Sequence, residues 1–161
     1  MKRAEPPNRP GRGGVSVLLT LTVLLLVSGS VWLVLDTAFT VEGEFGPAKH
    51  PLQVWMLRAH AAFAMAMLVA FGSLLPSHVW PLWSTRCNRG SGAMLVALVL
   101  GLVLTGYLLY YLGDEDWRTV VARMHWIGGL VLAGALVLHM VMGKRAAVRH
   151  KRARSRAVGA L

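Results

Sequence analysis

Six histidines are spread along the chain, and their settings differ sharply. His60, His125 and His139 lie inside long apolar stretches, His78 lies just past the end of one, His50 precedes Pro51, and His150 sits in a basic tail. An imidazole in hydrocarbon is costly without a partner, so the intramembrane histidines are functional-site candidates by default. His50 and His150 read as bystanders. Arg58 and Arg123 each stand two residues before a histidine, His60 and His125, and small residues follow one turn later: Ala64 in the first case, Gly128 and Gly129 in the second. Two imidazoles at matched depth can ligate one metal ion from opposite sides. Guanidinium on the water side can pair with carboxylates, and small residues clear the space that a flat macrocycle requires. The chemistry that fits is a b-type haem with His60 and His125 on the iron, Arg58 and Arg123 on its propionates, and Ala64, Gly128 and Gly129 packed against the ring. The alternative for any single histidine is a hydrogen bond to a carbonyl or serine of a neighbouring helix. Pigment binding is a further alternative, with one histidine per magnesium rather than a facing pair.

His139 follows His125 by 14 residues, which on a helix is roughly 40° short of four turns and about 21 Å along the axis. The two imidazoles therefore point into the same interior at different depths, as two haems stacked across a membrane would require. The only partner near that depth is His78. It lies 18 residues from His60, five whole turns if the helix survives Pro76, although a proline there is expected to end or kink it. The two spacings differ by roughly 6 Å, about 27 against 21 Å. Cys87 is the single cysteine, and no Cys-x-x-Cys-His is present, so any haem is held by coordination alone.

These side chains need elements that place them in a membrane. The 161 residues are 55% hydrophobic, with a mean hydropathy of +0.54, yet carry a net charge of +10. Apolar and basic residues must therefore be segregated along the chain, which suggests a membrane protein and makes nucleic acid a poor partner for the charge. A span of roughly 20 apolar residues crosses the hydrocarbon core, and four such segments stand out: 15–35, 54–75, 92–112 and 120–142. The basic stretch 1–14 and the tail 143–161 flank the resulting domain. The apolar segment after the first basic residues is too long for a signal peptide and is expected to be retained as a helix. Short connections leave no room for a soluble domain, so the expected fold is all-α, an antiparallel four-helix transmembrane bundle. Lysine and arginine divide 13 to four between the two sides: Lys2, Arg3, Arg9, Arg12, Arg86, Arg89 and the seven after Met142, against Lys49, Arg58, Arg118 and Arg123. The positive-inside rule then puts both termini in the cytoplasm, with the basic ends against lipid headgroups. Trp32, Trp55, Trp80, Trp83 and Trp117 fall at or near helix ends, like an aromatic belt.

Taken together, the helix count, the histidine in helix two and the two histidines 14 residues apart in helix four resemble the four-helix membrane cytochrome b subunits of respiratory formate dehydrogenases and nickel–iron hydrogenases. These belong to the wider bacterial cytochrome b561-like group. The resemblance covers roughly 15–144. It implies an outer haem on His60 and His125 and an inner haem on His139 with a helix-one histidine. Helix one here has none, so the inner site would need His78. The run Thr105 to Tyr111, with Tyr107, Tyr110 and Tyr111, is similar to small cytochrome-like proteins of the same group, though an interfacial aromatic belt accounts for the tyrosines as well. The resemblance further implies electron passage between a periplasmic or membrane redox subunit and membrane quinone, in a bacterial-type plasma membrane. Bis-histidine ligation leaves iron no open position and favours electron transfer. Rival readings are a stand-alone cytochrome b561-type quinone-linked oxidase, or a small transport or structural protein whose histidines relay protons.

Overall fold

The computed structural model describes residues 12–44, 46–80 and 89–158. Within them the chain is helical, with one small β-hairpin, and it divides into two compact units, Met1–Thr85 and Arg86–Leu161. Each unit is a pair of packed helices. All four helices are long and apolar enough to cross a membrane.

In the first unit, α1 spans Arg12–Ala38 and α2 spans Leu52–Leu74. No charge interrupts α1 between Gly13 and Leu35, and its hydroxyls are satisfied within the helix: Thr22 donates to Leu18 O and Thr37 to Leu33 O, each at 2.8 Å. Back-bonding of this kind lets polar side chains persist where water is absent. The connection between α1 and α2 folds as an antiparallel hairpin, β1 (Thr40–Gly43) with β2 (Gly46–Lys49), and pairs Thr40 with Lys49. Gly46 has φ +108°, a turn conformation that side-chain-bearing residues rarely adopt. Asp36 ties the hairpin to both helices, accepting from Lys49 Nζ at 2.5 Å and from Gln53 Nε2 at 2.6 Å. His50 is a local structural group: its Nδ1 accepts from the Leu52 amide at 3.2 Å, at the start of α2.

The helix also survives Pro76. Leu75–Val79 forms a π turn in which the Trp80 amide donates to Leu75 O, five residues back. A widened turn can absorb the amide that proline lacks and the clash of its ring. Such a turn takes one residue more than an α-turn, so the five whole α-turns expected between positions 60 and 78 do not hold.

In the second unit, α3 covers Arg89–Tyr111 and α4 covers Glu115–Val158. Three residues join them, which forces the helices antiparallel. Asp114 starts α4 by accepting from the Trp117 amide at 3.0 Å, and Glu115 and Asp116 place negative charge on its first turn. The 44 residues of α4 run about 66 Å. The basic segment after Met142 thus continues the last span as helix to Val158.

Burial is inverted relative to a water-soluble protein. Among the described residues the buried polar side chains are Thr22, Ser28 and Gln53, while Val69 is 74% and Met65 67% exposed. Large apolar surfaces facing outward suit a lipid solvent.

Candidate functional site

The three histidines inside the apolar helices share one local arrangement, the hydrogen bond to a neighbouring helix that the sequence offered as the alternative to metal ligation. Each ring is held through Nδ1 by a hydroxyl on the preceding helix, and each hydroxyl residue is followed by glycine. On the first hairpin, His60 Nδ1 lies 3.1 Å from Ser28 Oγ and 3.1 Å from Leu25 O. On the second, His125 Nδ1 lies 2.9 Å from Thr105 Oγ1, and His139 Nδ1 lies 2.9 Å from Ser91 Oγ. The glycines are Gly29, Gly106 and Gly92.

Proton bookkeeping fixes the direction of two of these bonds. A hydroxyl carries one proton, and a carbonyl can only accept. Ser28 Oγ is 2.7 Å from Leu24 O and Thr105 Oγ1 is 2.8 Å from Gly101 O, so each hydroxyl donates to its own helix. His60 and His125 therefore donate Nδ1–H to those oxygens, and Leu25 O independently requires a proton on His60 Nδ1. In a neutral imidazole the lone pair then resides on Nε2. A metal-ligating histidine needs this condition: one nitrogen anchored by a second-shell acceptor, the other basic and oriented.

The glycines do steric work of different tightness. A Cβ at Gly29 would sit 3.1 Å from His60 Cε1 and 3.3 Å from its Nδ1, and one at Gly106 would sit 3.3 Å from His125 Cε1. At Gly92 the corresponding distance to His139 Cε1 is 4.0 Å, an ordinary contact. Small residues let transmembrane helices approach this closely.

The two pairs of the second hairpin also share one register. Ser91 and His139 are 48 residues apart and Thr105 and His125 are 20 apart, so both pairs are centred on residue 115. The 14-residue spacing of the histidines on α4 is thus matched by a 14-residue spacing of hydroxyls on α3. Among the described residues the first hairpin holds one such pair. Fourteen residues further from its connection the positions are Gly14 and Leu74, and an open groove of about 660 Å³ lies on this half of the hairpin, lined by residues including Ser16, Thr20, Ala66 and Ser73.

The other expected site residues fall as follows. Arg58 is exposed and lies over the Trp55 ring at 5.1 Å, a cation–π contact near the start of α2. Arg123 is exposed on α4, two residues before His125. Ala64 is half-buried on α2. Gly128 packs toward α3, where a Cβ would meet Leu102 at 3.4 Å, whereas a Cβ at Gly129 would meet open space. Gly128 thus serves helix packing first. The side chains of His78 and His150, and the whole of Cys87 and Trp83, lie outside the described residues. Tyr107, Tyr110 and Tyr111 stack at the end of α3, with centroids 4.6 and 5.1 Å apart, and are 60%, 84% and 65% exposed, as interfacial aromatics would be.

Compared with protein families, characterised proteins and solved structures, this chain has no match. Its chemistry must be argued from its own residues. Among the described residues no group of three or more His, Cys, Asp or Glu side chains gathers around a common point. A porphyrin iron brings four nitrogens of its own and asks the protein for two. His60, His125 and His139 each offer an imidazole held through Nδ1, the kind of ligand such an iron takes.

Proposed function

We propose that this chain is a membrane b-type cytochrome in which His60 and His125 ligate one haem iron. The carrying observation is the fixed direction of the Nδ1 bonds, which makes Nε2 of both residues the basic, oriented nitrogen. Bound haem would supply a one-electron couple. The protein's own contribution is to orient both imidazoles through Nδ1, to set guanidinium charge from Arg58 and Arg123 beside the propionates, and to keep water away with apolar helices. His139, anchored by Ser91, is the candidate ligand of a second haem, with His78 opposite. In this reading the four helices form one antiparallel bundle in a bacterial-type plasma membrane, both termini being cytoplasmic by the lysine and arginine distribution. The chain then carries electrons between a partner subunit at the outer face and membrane quinone, as the anchor of an oxidoreductase complex.

A reduced-minus-oxidised spectrum of the purified chain tests the reading. A sharp low-spin b-type band is expected, and its absence from protein produced with ample haem would overturn the proposal. Copurification of a catalytic subunit is the expected result for an anchor, and a protein that turns over quinol alone would replace that part of the reading.

A further inference from the structure

We propose that Ser28 and Thr105 are positioning residues that set the redox preference of the bound iron through the imidazoles of His60 and His125. This inference rests on the haem reading above. An acceptor on Nδ1–H makes the opposite nitrogen a stronger donor, and a stronger donor favours the ferric state. The acceptor strength is itself built into the fold. Each hydroxyl spends its only proton on a carbonyl of its own helix, Leu24 O for Ser28 and Gly101 O for Thr105, so its oxygen faces the imidazole purely as an acceptor. Donating to that carbonyl polarises the hydroxyl and strengthens it as an acceptor. Ser28 is 4% exposed, so no water can replace it at the ring. Gly29 and Gly106 complete the notch, since a Cβ at either would lie 3.1 or 3.3 Å from the ring's Cε1 and crowd it by a few tenths of an ångström.

The roles are separable by matched substitutions in the full-length haem-loaded chain. Thr105→Val keeps the shape and removes the acceptor, whereas Thr105→Ser keeps the acceptor and removes a methyl group. Ser28→Ala is the equivalent deletion on α1. Second-shell partners of metal-bound histidine are worth about tenfold or more in affinity. A tenfold loss of ferric over ferrous preference raises a one-electron midpoint potential by about 59 mV. Redox titration should therefore show Thr105→Val shifted upward by about that step with haem retained, Ser28→Ala shifted the same way by less because Leu25 O still accepts from His60 Nδ1 at 3.1 Å, and Thr105→Ser unshifted. Loss of haem in Thr105→Val together with its retention in Thr105→Ser would also support the role. Haem retained with an unmoved potential in both deletion variants, or Thr105→Ser and Thr105→Val behaving alike, overturns this inference and leaves the haem reading standing. A wild-type chain that binds no haem overturns both.

Discussion

Replacing Gly29 with alanine puts the notch under a measurable strain. The new methyl carbon would lie 3.1 Å from His60 Cε1 and 3.3 Å from Nδ1, whereas carbon atoms settle at about 3.5–4.0 Å. The ring must retreat by roughly 0.4 Å or more. Its bonds to Ser28 Oγ and Leu25 O begin at 3.1 Å, so that retreat carries them to about 3.5 Å, close to the distance at which a contact stops counting as a hydrogen bond. Alanine gains about 1 kcal/mol of helix propensity over glycine, and overpacking costs about 1–3 kcal/mol. Global stability should change by no more than about 2 kcal/mol, and the effect should be read on the ring itself. Gly92→Ala is the control, because its methyl would meet His139 Cε1 at 4.0 Å with no displacement needed. Histidine ¹⁵N spectra of protein prepared without haem in detergent micelles report the protonated nitrogen directly. The His60 signal should leave the Nδ1–H position in Gly29→Ala, while the His139 signal stays put in Gly92→Ala. An unchanged His60 signal, or an equal disturbance of His139, would refute the steric argument.

Other outcomes follow from the same geometry. His60→Ala and His125→Ala should each abolish the same low-spin haem signal, while His50→Ala, which removes only a bond at the start of α2, should leave the spectrum intact. Arg58→Gln should lower the potential of that haem, because removing a positive charge favours the more positive ferric site; a redox titration without a shift would leave Arg58 to its stacking on Trp55. A pyridine haemochrome assay should give near two haems per chain, falling to one in His139→Ala, and a wild-type ratio near one would remove the second site. Asp114→Ala should cost about 1 kcal/mol by loss of the α4 cap, seen as a lower thermal midpoint with an unchanged haem spectrum.

The spans were legible in the sequence because hydropathy over 20 residues is a strong and local signal, and the histidines stood out because imidazole is rare and costly in such stretches. The helix ends were less legible. Pro76 promised an end or a kink, but one π turn carried the backbone past it, and the basic residues after Met142 give no hydropathy signal for a helix, yet their side chains do not oppose one already begun. A serine or carbonyl of a neighbouring helix was the alternative partner for each histidine, but the individual hydroxyls could not be picked out, because serine and threonine are unremarkable in membrane helices, where they commonly bond their own backbone. Only the pairing across the hairpin marks them out. The signal was present in Ser28-Gly29, Ser91-Gly92 and Thr105-Gly106, and on the second hairpin in two hydroxyls spaced like the two histidines. Using it requires knowing that the three-residue connection sets an antiparallel register centred on residue 115.

That each imidazole takes its anchor from the helix immediately before it in the chain bears on how the protein is made. The contacts that aim His60 are complete once α1 and α2 have left the ribosome, and those aiming His125 and His139 once α3 and α4 have followed. Nascent chains can thus enter the bilayer as two successive hairpins of low contact order, with the ring orientations settled during synthesis. Each hairpin carries its own ring anchors, and the orientation of His60 is settled independently of that of His125 and His139.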